Sequence, residues 1–494
     1  MQPNERCTHL DFKQHLISKS NSMNKILQNL KKQVLLIALI VPFVASAQWS
    51  KPVVISPHSM LVTMTENMGP CMAASHDTLH VVWSDHRTKG YAIYYTRSID
   101  SGLTWSNPVN ITDTSGHGSD PSIAVNGRNV HVVWWDTVKG LPCSRYEHSL
   151  DGGNTWANKV MIDTNTTFWP GIAVSGSTVL VTLDKQIGSR TIVYLTKSVD
   201  NGVTFGPEQQ VSSLTAGSGR SEDQSTATDG KNIYMCWNDN RNNPSVLEIY
   251  YRRSTDMGKT WDNEVQISNG SSYSPMLIND SSHVYVNLGY SNPMNAYVSQ
   301  SSDSGATFGT PAQVTTNVSK NAEAYPFMIC SGNNLFLTTH RFPGYPWQTW
   351  FTQSSDRGAT WSNETLLGNC KGTSFLALTC PAIHAVWPDS NVIYYSRNAN
   401  GSPSCPSSPT SVNNITEHGQ LAIYPNPVTG IATITFAEEG QHHAEVFDIT
   451  GRQLMSFDAK SFQYTWTTTE LLPGMYFVKV TSSKGTQIVR FIKG

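Results

Sequence analysis

The sequence predicts an all-β protein, a seven-bladed β-propeller with six blades as the alternative, followed by a small β-sandwich. A turn phrase of the form Ser-x-Asp-x-Gly-x-Thr-aromatic occurs six times. The copies recur at intervals of about fifty residues, a period typical of propellers and other repeat arrays. Short apolar runs of alternating polarity surround each copy, as in sheets made of hairpins. The composition changes after residue 397, which indicates a second domain.

The six phrases are the strongest local pattern in the chain. They are Ser98–Trp105, Ser149–Trp156, Ser198–Phe205, Ser254–Trp261, Ser301–Phe308 and Ser354–Trp361. In each, the aspartate can accept N–H groups of its own turn, the glycine allows a positive φ, and the aromatic ring provides an apolar anchor. Because equivalent positions in a repeat array are scaffold features, we predict structural roles for the six aspartates. They are Asp100, Asp151, Asp200, Asp256, Asp303 and Asp356.

These phrases resemble the Asp-box, or BNR repeat, of sialidases and related propellers. The resemblance covers the propeller region, residues 48–397, and rests on six copies in register. It implies that the boxes lie on the face opposite the active site.

An apolar strand precedes each box, and one further strand, Ile383–Trp387, follows the last box. This count favours seven blades, whereas typical sialidases have six. The segment Trp49-Ser-Lys-Pro matches Trp105-Ser-Asn-Pro, which opens the fourth strand of the first blade. We therefore expect the N-terminal strand to complete the last blade, so that the ring has no exposed sheet edge.

The N-terminal region has the order of a signal peptide. Residues 23–47 contain lysines, an apolar run and the small-residue exit Ala45-Ser-Ala47. The apolar run is too short for a membrane span, so we expect no span after the signal is removed. Residues 1–22 are interpreted as an over-extended start.

After a linker at residues 398–415, rich in Ser, Pro, Asn and Gly, a different domain covers residues 416–494. Its alternating runs with Gly and Pro between them indicate an Ig-like β-sandwich. Its landmarks are Tyr424-Pro-Asn-Pro427, Val446–Leu454, Leu472–Val480 and Ile488–Lys493. They resemble the C-terminal (Por) sorting domain of type IX secretion. The resemblance implies the type IX machinery as a partner and a location outside the cell or on its outer surface.

Composition narrows the possible partners. The net charge is −2 and charged residues make up 14% of the chain, which gives no electrostatic case for nucleic acid. The eight cysteines show no zinc-type spacing, so we predict no metal and no cofactor. Cys370 and Cys380 flank the last blade and could pair in an oxidising compartment.

The face opposite the boxes, called here the mouth, is expected to receive the turns after the second strands and the starts of the innermost strands. The turns supply Asp85, Arg87, Asp136, Asp184, Asp239, Arg241, Arg341 and Asp389, and the inner strands supply Asp120, Trp169, Glu222, Asp223, Tyr273 and Tyr325. Carboxylates, arginines and aromatic rings suit sugar ligands. The recurring Trp-x-Asp pattern indicates turn-forming roles for Asp85, Asp136, Asp239 and Asp389.

Residues that break the repeat are the better functional candidates. The predicted catalytic residues are Asp120, Glu222, Asp223 and Tyr273, and the predicted substrate-binding residues are Arg87, Arg241, Arg341, Trp169 and Tyr325. Sialidases bind the substrate carboxylate with three arginines and use a Tyr–Glu nucleophile pair with an Asp acid. The first family arginine lies in an Arg-Ile-Pro motif, but the matching place here reads Met68-Gly69-Pro70.

Three hypotheses follow, all with extracellular glycans or glycoproteins as partners. The first is a glycoside hydrolase that uses the mouth carboxylates. The second is a non-catalytic propeller for binding or adhesion. The third is a true sialidase with a rearranged arginine set. A carboxylate pair at a glycosidase separation would favour the first, and three arginines directed at one point would favour the third.

Overall fold

The computed structural model describes residues 49–57, 59, 61–64, 69–87, 90–112, 117–157, 159–163, 167–213, 219–291, 294–315, 325–342, 346–399, 401, 422–424, 428, 430–436, 440–448, 452–461, 463–472, 474–482 and 485–494. The predicted segments 1–22 and 23–47 and most of the predicted linker lie outside these residues. The regular secondary-structure elements of the described residues are all strands, which confirms the all-β class. The chain divides into two compact units, Met1–Cys405 and Pro406–Gly494.

The first unit contains the following strands: β1 (Val53–Val54), β2 (Val62–Thr63), β3 (Met72–Ser75), β4 (Thr78–Asp85), β5 (Ala92–Ser98), β6 (Val109–Asn110), β7 (Ser119–Asn126), β8 (Asn129–Val138), β9 (Leu141–Ser149), β10 (Val160–Asp163), β11 (Thr167–Ser175), β12 (Thr178–Ile187), β13 (Arg190–Ser198), β14 (Gln209–Gln210), β15 (Ser221–Thr228), β16 (Ile233–Asp239), β17 (Glu248–Ser254), β18 (Val265–Gln266), β19 (Ser272–Asp280), β20 (His283–Ser291), β21 (Met294–Ser301), β22 (Ala312–Gln313), β23 (Phe327–Ser331), β24 (Asn334–Arg341), β25 (Trp347–Ser354), β26 (Thr365–Cys370), β27 (Phe375–Leu378), β28 (Ile383–Asp389) and β29 (Val392–Asn398).

In the described part of this unit the strands form seven antiparallel sheets. Sheet 1 contains β2–β6, sheet 2 β7–β10, sheet 3 β11–β14, sheet 4 β15–β18, sheet 5 β19–β22, sheet 6 β23–β26, and sheet 7 β27–β29 with β1. In sheets 2 to 6 each strand pairs with the next along the chain. In sheet 1 two short strands, β2 and β3, both pair with β4.

The sheets are arranged around a ring, as in a propeller. The innermost strands β3, β7, β11, β15, β19, β23 and β27 contact one another in this order, and β27 contacts β3. The central cavity is about 430 Å³ in volume and is lined mainly by Ala, Val, Ile, Leu, Met and Phe. As the sequence match predicts, β1 completes sheet 7, with Val53 opposite Tyr395 and Val54 opposite Tyr394.

Neighbouring sheets are joined by a repeated aromatic contact. A tyrosine on the third strand of one sheet packs edge-on against the aromatic residue of the next box. The ring centroids are 4.8 Å apart for Tyr95–Trp156 and 4.9 Å apart for Tyr146–Phe205. Trp49 makes the corresponding contact with Phe351 at 5.0 Å. These contacts bury apolar surface between sheets, the main stabilising term for such a fold.

In its described residues, the second unit contains two sheets around one core. Its strands are β30 (Ala422–Tyr424), β31 (Ile431–Thr435), β32 (His442–Asp448), β33 (Gln453–Ala459), β34 (Gln463–Thr467), β35 (Gly474–Ser482) and β36 (Gly485–Lys493). One sheet has the order β30-β31-β34 and the other β33-β32-β35-β36. Ile434 and Trp466 of the first sheet share an apolar cluster with Val446 and Val478 of the second, so the sheets pack face to face.

The cysteine pairing that the sequence suggests is wrong. Cys380 is disulfide-bonded, whereas Cys370 is a buried free cysteine. The two positions belong to different sheets, because Cys370 ends β26 of sheet 6 and Cys380 follows β27 of sheet 7. A disulfide requires Cα atoms within about 7 Å.

Candidate functional site

Four inner strands carry the same irregularity at the mouth. The register shifts in β7, β11, β15 and β19 at equivalent places, as it does in a β-bulge. One residue in each has a left-handed backbone: φ is 49° at Asp120, 44° at Trp169, 54° at Asp223 and 53° at Ser274. Non-glycine residues rarely adopt this conformation. Bulges redirect side chains and are frequent next to active sites.

An acidic cluster lies between sheets 3 and 4. The carboxylate Oδ2 of Asp184, on β12, accepts the backbone N–H of Asp223 at 2.8 Å. Asp223 Oδ2 accepts Asn238 Nδ2–H at 2.7 Å. Glu222 is the third member, and Arg220 Nη1 lies 3.4 Å from its Oε1. Asp184 of sheet 3 thus stabilises the left-handed backbone conformation of Asp223 in sheet 4.

Burial and mutual repulsion raise the pKa values of this cluster. Asp184 is fully buried, and burial followed by the charge of Asp223 raises its pKa well above the usual value. Burial, and then the charge of Asp223, also raise the pKa of Glu222. Burial raises the pKa of Asp223 although Asn238 and Arg220 oppose the shift. Strongly perturbed carboxyl groups at one end of a ring are typical of functional sites.

Trp169 is fixed beside this cluster by Gln224. The buried Gln224 donates from Nε2 to the carbonyl oxygen of Trp169 at 2.5 Å and accepts from Thr182 Oγ1 at 2.8 Å. Gly171 makes room for this clamp, because a Cβ there would lie 2.6 Å from Thr182 Oγ1 and 2.9 Å from Gln224 Oε1. The clamp ties the bulge of sheet 3 to that of sheet 4.

The other predicted inner-strand residues lie elsewhere around the mouth. Asp120 lines a cleft between sheets 1 and 2. Tyr273 and Tyr325, on the sides of sheets 5 and 6, approach each other with ring centroids 5.9 Å apart. Tyr325 also lies 6.1 Å from the ring of His340. The predicted residues therefore form three groups: Glu222 and Asp223 with Trp169, Tyr273 with Tyr325, and Asp120.

The three predicted substrate-binding arginines lie in three different sheets and are engaged there. Arg87 pairs with Asp85, and its Cζ lies 3.9 Å from the ring centroid of Tyr94. Arg241 pairs with Asp239 and Glu264 and stacks on Tyr250 at 4.1 Å. Arg341 pairs with Glu364 and stacks on Trp350 at 4.9 Å. Their role in substrate binding stays a prediction.

The aspartates of the Trp-x-Asp turns make local contacts. Asp85 and Asp239 each accept the indole N–H of the preceding tryptophan at 3.1 Å. Burial alone would raise the pKa of Asp85, but hydrogen bonds from Arg87, Ser59 and Trp83 outweigh it and lower the pKa. These carboxylates are engaged by their own turns and by serines of other segments, Ser59 for Asp85 and Ser221 for Asp239.

The box aspartates are also engaged within their own turns. Asp256 accepts Thr260 N–H at 2.8 Å, Thr260 Oγ1–H at 2.7 Å and Ser254 Oγ–H at 2.8 Å. The hydrogen bonds from Thr260, followed by that from Ser254, lower its pKa to about 2. The boxes follow the third strands, so they lie at the end of each sheet opposite the mouth.

Sequence reasoning did not assign functions to Asp184, Gln224 and Asn238. Asp184 pairs with Val193 and lies one position before the turn aspartates of the other sheets, at the place of Asn238 in sheet 4. Strand alternation could have shown that this position faces inward rather than into the turn. No group of three or more metal-type ligands occurs among the described residues. The described ranges also contain no helix that could cross a membrane.

Two family models match this chain. Residues 37–286 match the BNR repeat-like domain, and residues 422–494 match the secretion system C-terminal sorting domain. No curated protein sequence matches the chain.

Several solved structures resemble the chain. A Hadza microbial sialidase has 14% identity and a TM-score of 0.42, with 69% of this chain and 66% of that chain covered. A polysaccharide lyase has 10% identity and a TM-score of 0.46, with 69% and 90% covered. Trypanosoma rangeli sialidase has 11% identity and a TM-score of 0.41, with 90% of each chain covered. Similarity at this level does not bear on substrate or reaction.

Proposed function

This chain belongs to the BNR repeat-like domain family, and from this premise we propose that it hydrolyses extracellular glycans. Its sorting domain directs it by type IX secretion to the cell surface or the extracellular space. The proposed active site is the acidic cluster of Asp184, Glu222 and Asp223 beside Trp169. The observation that carries the proposal is the geometry of this cluster, in which Asp184 accepts the N–H of Asp223 and Asp223 accepts a hydrogen bond from Asn238. The raised carboxyl pKa values support it.

Glycoside hydrolysis needs two carboxyl groups with different tasks. One protonates the leaving oxygen and needs a raised pKa, and the other acts as nucleophile or as base toward water. Burial and the charge of Asp223 raise the pKa of Glu222, which suits the acid. Asp223 accepts a hydrogen bond from Asn238, which suits the second carboxylate. Adjacent strand residues normally point to opposite faces, but the bulge at Asp223 breaks that alternation.

Asp184 has a positioning role in this proposal. It is fully buried, so it does not reach the substrate, but it accepts the N–H of Asp223 and orients that residue. Trp169 provides an aromatic face of the kind on which sugar rings stack. Tyr273 and Tyr325, in sheets 5 and 6, are further contacts for the sugar in this proposal.

The preferred substrate is a neutral glycan rather than a sialoside. Recognition of a carboxylate by arginines needs guanidinium groups that can turn toward it. Arg87, Arg241 and Arg341 are instead neutralised by acids of their own sheets. In this proposal Asp223 acts as a carboxylate, and its negative charge repels an anionic sugar.

The test is cleavage of a mixed panel of neutral oligosaccharides and sialosides by the purified protein, with products identified by mass spectrometry. We expect cleavage of a neutral member, and a loss of about 10²–10⁴-fold in rate for Glu222→Gln and Asp223→Asn. Asp262→Asn is the matched control, because Asp262 follows the fourth box at the opposite end of sheet 4. Binding without any cleavage would replace the hydrolase by a binding module. Cleavage of sialosides alone would revive the sialidase hypothesis.

A further inference from the structure

A second cavity opens at the mouth between sheets 1 and 2, away from the acidic cluster. It measures about 570 Å³, within the range of about 300–1,000 Å³ that is usual for small-ligand sites. Its lining includes Tyr91, His117, Asp120 and Trp135, together with the side chains of Thr63 and Met64. The central cavity of the ring differs from it, because the central cavity is lined mainly by apolar side chains of inner strands.

The walls of this cleft suit a sugar ring. Tyr91 and Trp135 are half-buried aromatic residues from neighbouring sheets, and Tyr91 is steadied by stacking on His86 at 4.8 Å. Asp120 is held by the β7 bulge, and Ser119 Oγ donates to its carboxylate at 3.1 Å. Aromatic faces cover the apolar side of a pyranose, and a carboxylate accepts its hydroxyl groups. Asp120 is the single acidic residue in the described lining, which contains neither Lys nor Arg, so the cleft disfavours anionic sugars.

Aromatic residues connect this cleft to the acidic cluster. The ring of Trp135 stacks on Phe168 with centroids 6.1 Å apart and an interplanar angle of 28°. Phe168 lies 5.8 Å from Trp169, the residue that Gln224 ties to sheet 4. Trp135, Phe168 and Trp169 are called here the aromatic strip. It runs from sheet 2 to sheet 3 along the mouth.

We infer that the cleft of Tyr91, Asp120 and Trp135 is a second sugar-binding subsite for an uncharged sugar unit, so that the ligand is an oligosaccharide lying along the aromatic strip. The statement that the ligand is an oligosaccharide along the aromatic strip rests on the proposed function, because it assigns the other end of the oligosaccharide to the acidic cluster. Asp120 then binds sugar hydroxyls and is not a member of the catalytic pair.

The experiment measures affinity by calorimetry in the Glu222→Gln background, so that no turnover occurs. The probes are cello-, manno- and galacto-oligosaccharides from disaccharide to hexasaccharide, with sialyllactose as the anionic comparison. We expect affinity to rise with length in one neutral series. Trp135→Ala should weaken binding of the hexasaccharide about tenfold and leave disaccharide binding nearly unchanged. Trp135→Phe should restore most of the loss, and Asp120→Asn should weaken neutral binding and relax the discrimination against sialyllactose.

The outcomes separate the subsite from the active site. Equal losses for short and long ligands, or no loss in Trp135→Ala with its melting temperature preserved, would overturn the subsite. Failure of every neutral probe to bind would overturn it as well. If length-dependent binding is lost in Trp135→Ala but the wild type cleaves nothing, the subsite stands and the hydrolase proposal fails. If the wild type cleaves and Trp135→Ala changes neither length dependence nor affinity, the reverse holds.

Discussion

Asp184 is a buried carboxyl group that no cation neutralises among its described contacts, and its chemistry sets the first prediction. Its raised pKa means that the folded protein retains a proton that the unfolded chain releases. Stability from this group is therefore present at low pH and is lost as pH rises from about 4 through the raised folded pKa. Asp184→Asn keeps an acceptor for Asp223 N–H and cannot titrate.

We expect Asp184→Asn to gain stability relative to the wild type as pH rises from about 4 to neutral. Relative to Asp184→Asn, Asp184→Ala should cost about 1–3 kcal/mol at all these pH values, because it leaves Asp223 N–H without its acceptor. Urea unfolding at several pH values measures both effects. A constant difference between Asp184→Asn and wild type across pH would show that Asp184 does not titrate in this range.

Gly202, in the third box, has two separate reasons to be glycine. Its φ is +83°, and an added Cβ would lie 1.6 Å from Tyr146 Oη of the preceding sheet. Gly202→Ala should therefore cost about 2 kcal/mol or more from backbone strain and overpacking together.

Gly127→Ala is the matched control, since Gly127 has φ +60° but nothing within 4 Å of its Cβ position. It should show only the strain, about 1 kcal/mol. Denaturant midpoints compare the two variants, and adding Tyr146→Phe to Gly202→Ala should recover part of the loss. Equal losses at the two glycines would refute the close approach of Tyr146.

Among the elements, β1 has the most distant partner. Ile55 donates its N–H to Ile393 at 3.0 Å and Ser50 donates to Arg397 at 2.8 Å, so β1 is bound to β29 by backbone hydrogen bonds. Ile55→Pro removes one donor and should destabilise the unit by about 1–3 kcal/mol. The freed edge of β29 should also promote self-association.

Thermal unfolding and light scattering test this prediction. Val109→Ala, on the short fourth strand of sheet 1, is the control, because Val109 is exposed and keeps its N–H. Unchanged stability and a monomeric Ile55→Pro variant would mean that β1 contributes little.

Local chemistry explains which elements could be predicted from sequence. The boxes were recognisable because their serine, aspartate, glycine and threonine all act within one turn, as at Asp256. The pairing of β1 was recognisable because Trp49-Ser-Lys-Pro repeats the phrase at Trp105. The bulge conformation of Asp223 could not be recognised from the sequence, because it depends on a hydrogen bond to Asp184 in another sheet. The engagement of Arg341 by Glu364 likewise depends on packing that spacing does not encode.

For the first unit as a whole, buried histidines predict sensitivity to acid. His80 and His131 each bond a tyrosine hydroxyl at 2.7 Å, and burial lowers their pKa values to about 4. Burial lowers the pKa of His384 to about 3. The unfolded chain thus takes up protons near pH 6.5 that the folded chain does not, so these groups reduce stability as pH falls from about 6.5 to 4.

We expect variants His80→Gln, His131→Gln and His384→Gln to lose less stability than the wild type between pH 7 and pH 4, by up to about 3 kcal/mol for each histidine. The difference between variant and wild type isolates the histidines from the acidic cluster, whose pKa shifts act in the opposite direction. Urea midpoints across this range measure it. Parallel pH profiles of variant and wild type would mean that the pKa values of these imidazoles are the same in the folded and unfolded states. His76→Gln, in an exposed turn, is the control.

The pairing of β1 with β29 also has a kinetic consequence. Ser50 and Ser396 are 346 positions apart, so joining them closes a far longer loop than the hairpins of the other sheets do. The entropy of that closure exceeds that of a fifty-residue loop by about 2 kcal/mol. Contacts of high sequence separation form slowly. We therefore expect the ring to close in the last stage of folding, after the six other sheets have formed.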